Sequence, residues 1–351
     1  MRAAHVVQPG EPETALEIVE LDIPEPGPKE VRIRVGACAL NYKDVFTRKG
    51  HPLTSQGFPR QTGTDIAGVV DAVGTDVTRF ESGQRVNVYP RITCGQCEYC
   101  LDGEQTMCLD TRGVGESPSS AGEVVPGGLA EYVVLPASVL EPVPDSIDMV
   151  TAAAWPVTFT TAWRMVNTAA DLRPSETVLV QGASGGVGNA ALQLADRIGA
   201  TTYATTSSDE KARAVSQWAD EVIDYTETDF VERIEELTDG RGVDLVVDHV
   251  GEETWQDDID SLAPAGRLIV CGATTGQDAM TNIRSIYTEH RRILGETLGN
   301  RRDFRDVGSL VYRGELEPQI YRTLPLEEIA TGHRLLEERD VVGKIVFRPN
   351  E

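Results

Sequence analysis

Four cysteines fall within fifteen positions, Cys94, Cys97, Cys100 and Cys108, in the stretch TCGQCEYCLDGEQTMC, with the spacing C-x2-C-x2-C-x7-C. Four thiolates on one short loop can close a tetrahedral shell around Zn²⁺ and leave no coordination position open for chemistry. That pattern predicts one structural zinc per chain. Disulfides are the competing use of four thiols. Vicinal C-x2-C spacing in a chain whose start, MRAAHVVQPGEPE, lacks the charged and apolar regions of an export signal favours metal. The remaining cysteines, Cys38 and Cys271, lie singly in apolar sequence and read as buried residues.

A second constellation is GASGGVG, with Gly182, Gly185 and Gly188 at G-x-x-G-x-x-G spacing and Ser184, Gly186 and Val187 between them. It follows the apolar run ETVLVQG and opens the helical pattern VGNAALQLADRIG. Such a loop lets backbone N–H groups approach a pyrophosphate at the start of the helix. A further strand, TTYATT, about twenty residues on completes the context of a dinucleotide site. An NAD site usually carries Asp or Glu at the end of that second strand. Here it ends Ala204-Thr205-Thr206-Ser207-Ser208, followed by Lys211 and Arg213. Small hydroxyls and cations suit a 2′-phosphate, so NADP(H) is expected over NAD(H). Thr161, Tyr225 and Lys344 join Ser207 and Lys211 as candidate cofactor contacts.

The elements that position these groups form two textures. Residues 1–150 are rich in short strand-like runs, VRIRVGACAL, DIAGVVDAVG, QRVNVYP and GGLAEYVVLP, broken by Gly, Pro and Asp. The cysteine loop, near 91–110, interrupts them as an excursion. From 151 a helical stretch broken at Pro156 leads into strand–helix alternation to about 290, which predicts a doubly wound parallel sheet. Residues 291–351 hold a last strand of that sheet, two acidic helices near 301–313 and 326–338, and a strand GKIVFRP expected to return to the first domain. The fold class expected is α/β: a barrel-like N-terminal domain plus a Rossmann domain.

Composition narrows the class. The 351 residues are 40% hydrophobic and 25% charged, and no apolar run reaches membrane-spanning length. Net charge is −24, and only five of the 32 basic residues are lysine. The acids are dispersed and form no tail, a surface whose self-repulsion needs salt. A halophilic source and a cytoplasmic location are the expectations. Nucleic acid and anionic membrane are disfavoured as partners.

With NYKD, GFPRQTGTDIAGVV, GGLAEYVVLP, PVTFTTAW, GASGGVG, VDLVVDHVG and GKIVF in order along nearly its whole length, the chain resembles the medium-chain dehydrogenase/reductases. The resemblance implies a GroES-like catalytic domain, a Rossmann domain, hydride transfer from a nicotinamide in the cleft between them, and structural zinc in the cysteine lobe. It also implies a homodimer or homotetramer formed through the Rossmann edge near ILGETLG. At the positions matching the catalytic zinc ligands, this chain has Asn41, Thr64 and Phe159. No catalytic zinc is therefore expected. The chain is similar to the zinc-independent quinone oxidoreductases and related enoyl reductases. Asn41 and Tyr42 are candidate catalytic donors, Asp44 orders their loop, and His51 is a candidate proton donor through water, with a surface histidine as its plainer reading. Two alternatives stand beside a quinone or enone reductase: a zinc alcohol or polyol dehydrogenase with altered ligands, and a nucleotide-binding protein without turnover.

Overall fold

The computed structural model describes residues 1–51, 57–115 and 125–351, and it divides into two compact units, Met1–Val157 with Pro318–Glu351, and Thr158–Glu317. In chain order the first strands are β1 (Arg2–Val6), β2 (Leu16–Glu20), β3 (Glu30–Ala39), β4 (Arg60–Gln61), β5 (Asp65–Val73), β6 (Arg85–Val88), β7 (Arg91–Ile92), β8 (Arg112–Gly113), β9 (Tyr132–Pro136) and β10 (Leu140–Pro142). Then come β11 (Thr177–Val180), β12 (Thr201–Thr206), β13 (Glu221–Asp224), β14 (Val243–Asp248), β15 (Leu262–Val270), β16 (Arg292–Gly295), β17 (Ile320–Pro325) and β18 (Lys344–Arg348).

In the first unit a sheet runs β10-β6-β5-β3-β18-β17, with β9 also on β3, beside the smaller sheets β2-β1-β4 and β7-β8. The alternation expected for VRIRV is present: Val31, Ile33 and Val35 are buried, while Arg32 pairs with Asp71 at 2.6 Å. Each such fully buried aliphatic contributes on the order of 1.5–3 kcal/mol. The core also takes Val70, Val86, Leu135 and Phe347. Strand β3 fixes the site that follows. Its end pairs Ala39 with Asp65 on β5 and with Val346 on β18, so the start of β5 and the start of β18 flank residues 40–44.

The second unit holds a six-stranded parallel sheet in the order β13-β12-β11-β14-β15-β16. Its strands are short apolar runs because helices cover such sheets on both faces. Leu179, Val246, Ile259 and Leu268 form its core. The chain runs outward from β11 to β13 and then restarts on the other side at β14. The strand order thus reverses between β11 and β14. This unit extends to Glu317 and not to residue 290, because β16 pairs with β15 and Asp303 of the helix Arg301–Tyr312 accepts from Thr168 at 2.8 Å. The first boundary falls at Val157 and not at residue 150. Among the described residues no helix is long and apolar enough to cross a membrane.

Candidate functional site

The helix Tyr42–Lys49 begins where β3 ends. Asn41 is its N-cap in a capping box: Asp44 Oδ2 accepts from the Asn41 backbone N–H at 2.9 Å. Asp44 Oδ1 accepts from the Gly63 N–H at 3.2 Å, so this carboxylate ties the loop before the helix to the loop before β5. Burial pushes the Asp44 pKa up, and the charge of Lys43 and the two amides oppose that. Gly50, at φ 81°, closes the helix in the left-handed conformation that glycine adopts without strain. The far end of the helix is anchored by Glu337, which pairs with Arg48 and, at 2.6 Å, with Lys49.

Beneath this loop lies a buried ion pair. Lys344, the first residue of β18, donates from Nζ to Asp65 Oδ2 at 2.9 Å and to Asn41 Oδ1 at 2.7 Å. Asn41 Nδ2 donates to the same Asp65 oxygen at 3.0 Å, and the Val157 N–H donates to Asp65 Oδ1 at 2.8 Å. Asp65 is fully buried and Lys344 is 4% exposed. An unpaired charge at such depth costs several kcal/mol, and this pair is compensated at every contact on the carboxylate. One of the three ammonium donors of Lys344 remains for any further partner.

Cys38 is fully buried, but its surroundings are not simply apolar as the sequence suggested. Burial first, then the charges of Asp44 and Asp65, push its thiol well up. Thr64 is fully buried and its hydroxyl donates to the Val114 carbonyl at 3.1 Å. Tyr42 is half-buried, its ring edge-on to Phe46 at 5.1 Å, and its hydroxyl has no hydrogen bond among the described residues. The His51 ring lies 5.5 Å from Phe46. Residues 52–56 and 116–124 lie outside the described residues.

In the cysteine lobe the four Sγ atoms lie within 4.8 Å of one another, and no other group of three or more potential ligands among the described residues does so. Cys94 and Cys100 are 3.9 Å apart, against about 3.8 Å for the edge of a zinc–thiolate tetrahedron. Backbone N–H groups support the sulfurs: Cys97 donates to Cys94 Sγ at 3.3 Å and Cys94 to Cys108 Sγ at 3.3 Å. Amide hydrogen bonds from Leu109 and Cys100 lower the Cys97 thiol to about 6. The donor set fits zinc, with Cys94, Cys97, Cys100 and Cys108 as its ligands and no position left open.

In the second unit, Gly182 sits at φ 55° after β11 and Gly185 caps the helix Gly186–Ile198. A side chain at Gly188 would lie 2.5 Å from the Gly182 carbonyl, so the loop folds on itself only with glycine there. The Gly182 N–H donates to Thr205 Oγ1 at 3.0 Å, the Thr205 hydroxyl to Gln181 Oε1 at 2.6 Å, and Gln181 Nε2 to Asp258 at 2.6 Å. This buried relay ties the loop to β12 and to the helix Trp255–Asp260. Burial, and then the charge of Asp248, push Asp258 well up. The first amides of the helix have no partner within it, an arrangement able to receive an anion such as a pyrophosphate. Ser184 is 8% exposed within the loop. At the end of β12, Lys211 Nζ donates to Ser207 Oγ at 2.8 Å, and the Tyr225 N–H donates to Thr206 at 3.1 Å, which sets Tyr225 beside that strand end. Thr161 is buried on the helix Pro156–Trp163. His249 lies against the glycine loop, and the sequence gave no motif for it. Only the register of β14 beside β11 brings it there.

Two family descriptions match, "Alcohol dehydrogenase GroES-like domain" over residues 27–145 and "Zinc-binding dehydrogenase" over residues 186–313. An acryloyl-coenzyme A reductase of Sulfurisphaera tokodaii is 32% identical, covering 98% of this chain and 99% of the relative. A quinone oxidoreductase of Pseudomonas aeruginosa is 32% identical over 97% of both chains. A crystal structure of an NAD-dependent alcohol dehydrogenase superposes with a TM-score of 0.92 at 41% identity, covering 99% of each chain. The chain is an NAD(P)H-dependent oxidoreductase with a GroES-like domain and a Rossmann domain, and it belongs to the medium-chain dehydrogenase/reductase superfamily.

Proposed function

We propose that the protein is an NADPH-dependent reductase of quinones or α,β-unsaturated carbonyl or thioester compounds that works without catalytic zinc. The carrying observation is the Lys344–Asp65–Asn41 cluster. The position matching one family zinc ligand is Asn41, whose amide is held by an ammonium on one side and a carboxylate on the other. Thr64, matching a second, spends its hydroxyl on a backbone carbonyl. A dication would have to displace or abut a buried ammonium, and no soft or imidazole donor answers it at these positions.

A bound reduced nicotinamide supplies hydride. Addition of that hydride to a quinone, or to the β-carbon of an enone, leaves negative charge on an oxygen, which needs hydrogen-bond donors and then a proton. Tyr42 is the best-placed donor among the described residues, because its hydroxyl has no partner among them and a cap fixes its helix. Asn41 contributes its remaining amide hydrogen, and Asp44 holds the loop. His51 stands at the end of the same helix as a proton source through water. Ser207 and Lys211, with no carboxylate at the end of β12, support a 2′-phosphate, and Tyr225 lies beside them. Zinc in the cysteine lobe is structural on this reading. The dispersed acidic surface supports a protein that works in concentrated salt. The partly exposed edge strand β16, with Ile293 39% exposed, supports self-association into a dimer or tetramer.

The test is the purified enzyme with NADPH and NADH, a simple quinone, a crotonyl or acryloyl thioester and a panel of alcohols, with zinc counted per chain. Faster oxidation of NADPH with a conjugated acceptor, at one zinc per chain, is expected. Alcohol oxidation that rises with a second bound zinc would establish the alternative, a zinc alcohol dehydrogenase, which the 41% identity to an NAD-dependent alcohol dehydrogenase keeps as the second reading.

A further inference from the structure

We infer that His249 is a cofactor-binding residue, its imidazole accepting or donating a hydrogen bond at a ribose hydroxyl on the nicotinamide side of the dinucleotide. The inference rests on the dinucleotide reading of the glycine loop and adds a residue to it. Four observations carry it.

The sheet order reverses between β11 and β14, and a dinucleotide lies across the crevice at such a reversal, outside the carboxyl ends of the strands. Its adenosine half belongs to the β12 side, where the second strand ends. The other half must therefore pass the end of β14, and His249 is the first residue beyond that strand.

The ring lies on the loop itself. A methyl group placed on Gly182 would be 3.1 Å from His249 Cε1 and 3.4 Å from Nε2, and one placed on Gly185 would be 3.8 Å from Cε1. One placed on Gly272, after β15, would be 3.6 Å from His249 Cβ. Three glycines thus leave room around one imidazole.

One nitrogen of the ring is not satisfied. Nε2 is buried and has no hydrogen-bond partner among the described residues, and such groups are rare without a ligand or water to complete them. The carbonyls of Gly182 and Gln181 beside the ring favour an N–H turned toward them. A neutral ring so oriented keeps its other nitrogen as an acceptor, which a ribose hydroxyl can meet.

Finally, the surroundings hold the residue still. Its carbonyl accepts from Thr274 Oγ1 at 2.9 Å, and the neighbouring Asp248 accepts from the Val250 N–H at 2.7 Å. The backbone on either side is thereby fixed.

The experiment compares the full chain with its His249→Ala and His249→Asn variants by titration with two probes, NADPH and 2′,5′-ADP. The second probe carries the adenosine half and lacks the nicotinamide ribose. His249→Ala is expected to weaken NADPH about tenfold and leave 2′,5′-ADP unchanged, the size of one lost hydrogen bond. His249→Asn, which keeps a donor and an acceptor, recovers part of the loss and stands in if the alanine variant does not fold. Equal weakening of both probes would show that the ring only shapes the loop, and unchanged affinity for both would show that it touches nothing. Either result overturns the inference. If the wild-type chain prefers NADH, the proposed cofactor choice fails on its own, and the same comparison with NADH against AMP tests His249 in the same way.

Discussion

Replacing Lys344 by methionine keeps most of the side-chain volume and removes one buried charge. Asp65 is then left with two neutral donors, the Asn41 amide and the Val157 N–H. At the observed 2.9 Å separation the pair attraction is about 6 kcal/mol at an effective dielectric constant near 20. Desolvation of the ammonium offsets part of this, and removing one partner of a buried pair typically costs about 3–5 kcal/mol. For a unit of this size each kcal/mol is worth roughly 2–4 °C, so the melting temperature should fall by roughly 6–20 °C. Scanning calorimetry at pH 8 reads the loss. The double variant Asp65→Asn/Lys344→Met, which removes both charges, should recover most of the loss at pH 8. A drop of less than about 2 °C, or a double variant no better than the single one, would refute the view that this pair organises the loop.

Two further outcomes follow from other parts of the molecule. Lys211→Ala should raise the KM for NADPH about tenfold and leave that for NADH unchanged, because only a 2′-phosphate meets the ammonium. Equal effects on both would remove Lys211 from the cofactor site. His333, fully buried on the helix Ile329–Glu337, has its pKa lowered to about 3 by burial and by the charge of Arg48. Its unfolded form takes a proton below pH 6.5 and its folded form does not, so stability falls as pH falls through 6.5. Between pH 6.5 and 4.5 this one group costs about 2.3 kcal/mol, and urea titrations of a His333→Gln variant should be flatter over that window by about that amount. An unchanged slope would show that the folded protein protonates His333.

The features legible in the sequence were those written locally. The cysteine spacing fits a tetrahedron because all four ligands sit on one short loop. The glycine spacing between a strand and a helix located the tight turn into the helix Gly186–Ile198, because the turn, the close backbone approach and the helix start are consecutive. Lys344 shows where local reading ends. Its side chain meets Asn41 only because β18 pairs with the end of β3, about three hundred residues away in sequence. Nothing near residue 344 announces the pairing. His249 escaped for the same reason: it faces the glycine loop through the β11–β14 register and not through any motif. Asn41 was legible as a departure from the zinc ligand pattern, but its ammonium partner could be found only from the fold.

That ammonium bears on the proposed chemistry. Zinc at such a position supplies two positive charges and a free coordination site, which suits the localised charge of an alkoxide. Lys344 supplies one charge, and Asp65 neutralises it within 2.9 Å. The cluster therefore offers little uncompensated positive potential to hold an alkoxide. A quinol or an enolate spreads its charge over a conjugated system and is stabilised by one or two oriented hydrogen bonds. Donors such as the Tyr42 hydroxyl are adequate to that smaller demand. The ion pair holds Asn41 at the start of its helix, and the proposed reduction asks for no more positive charge than this cluster provides.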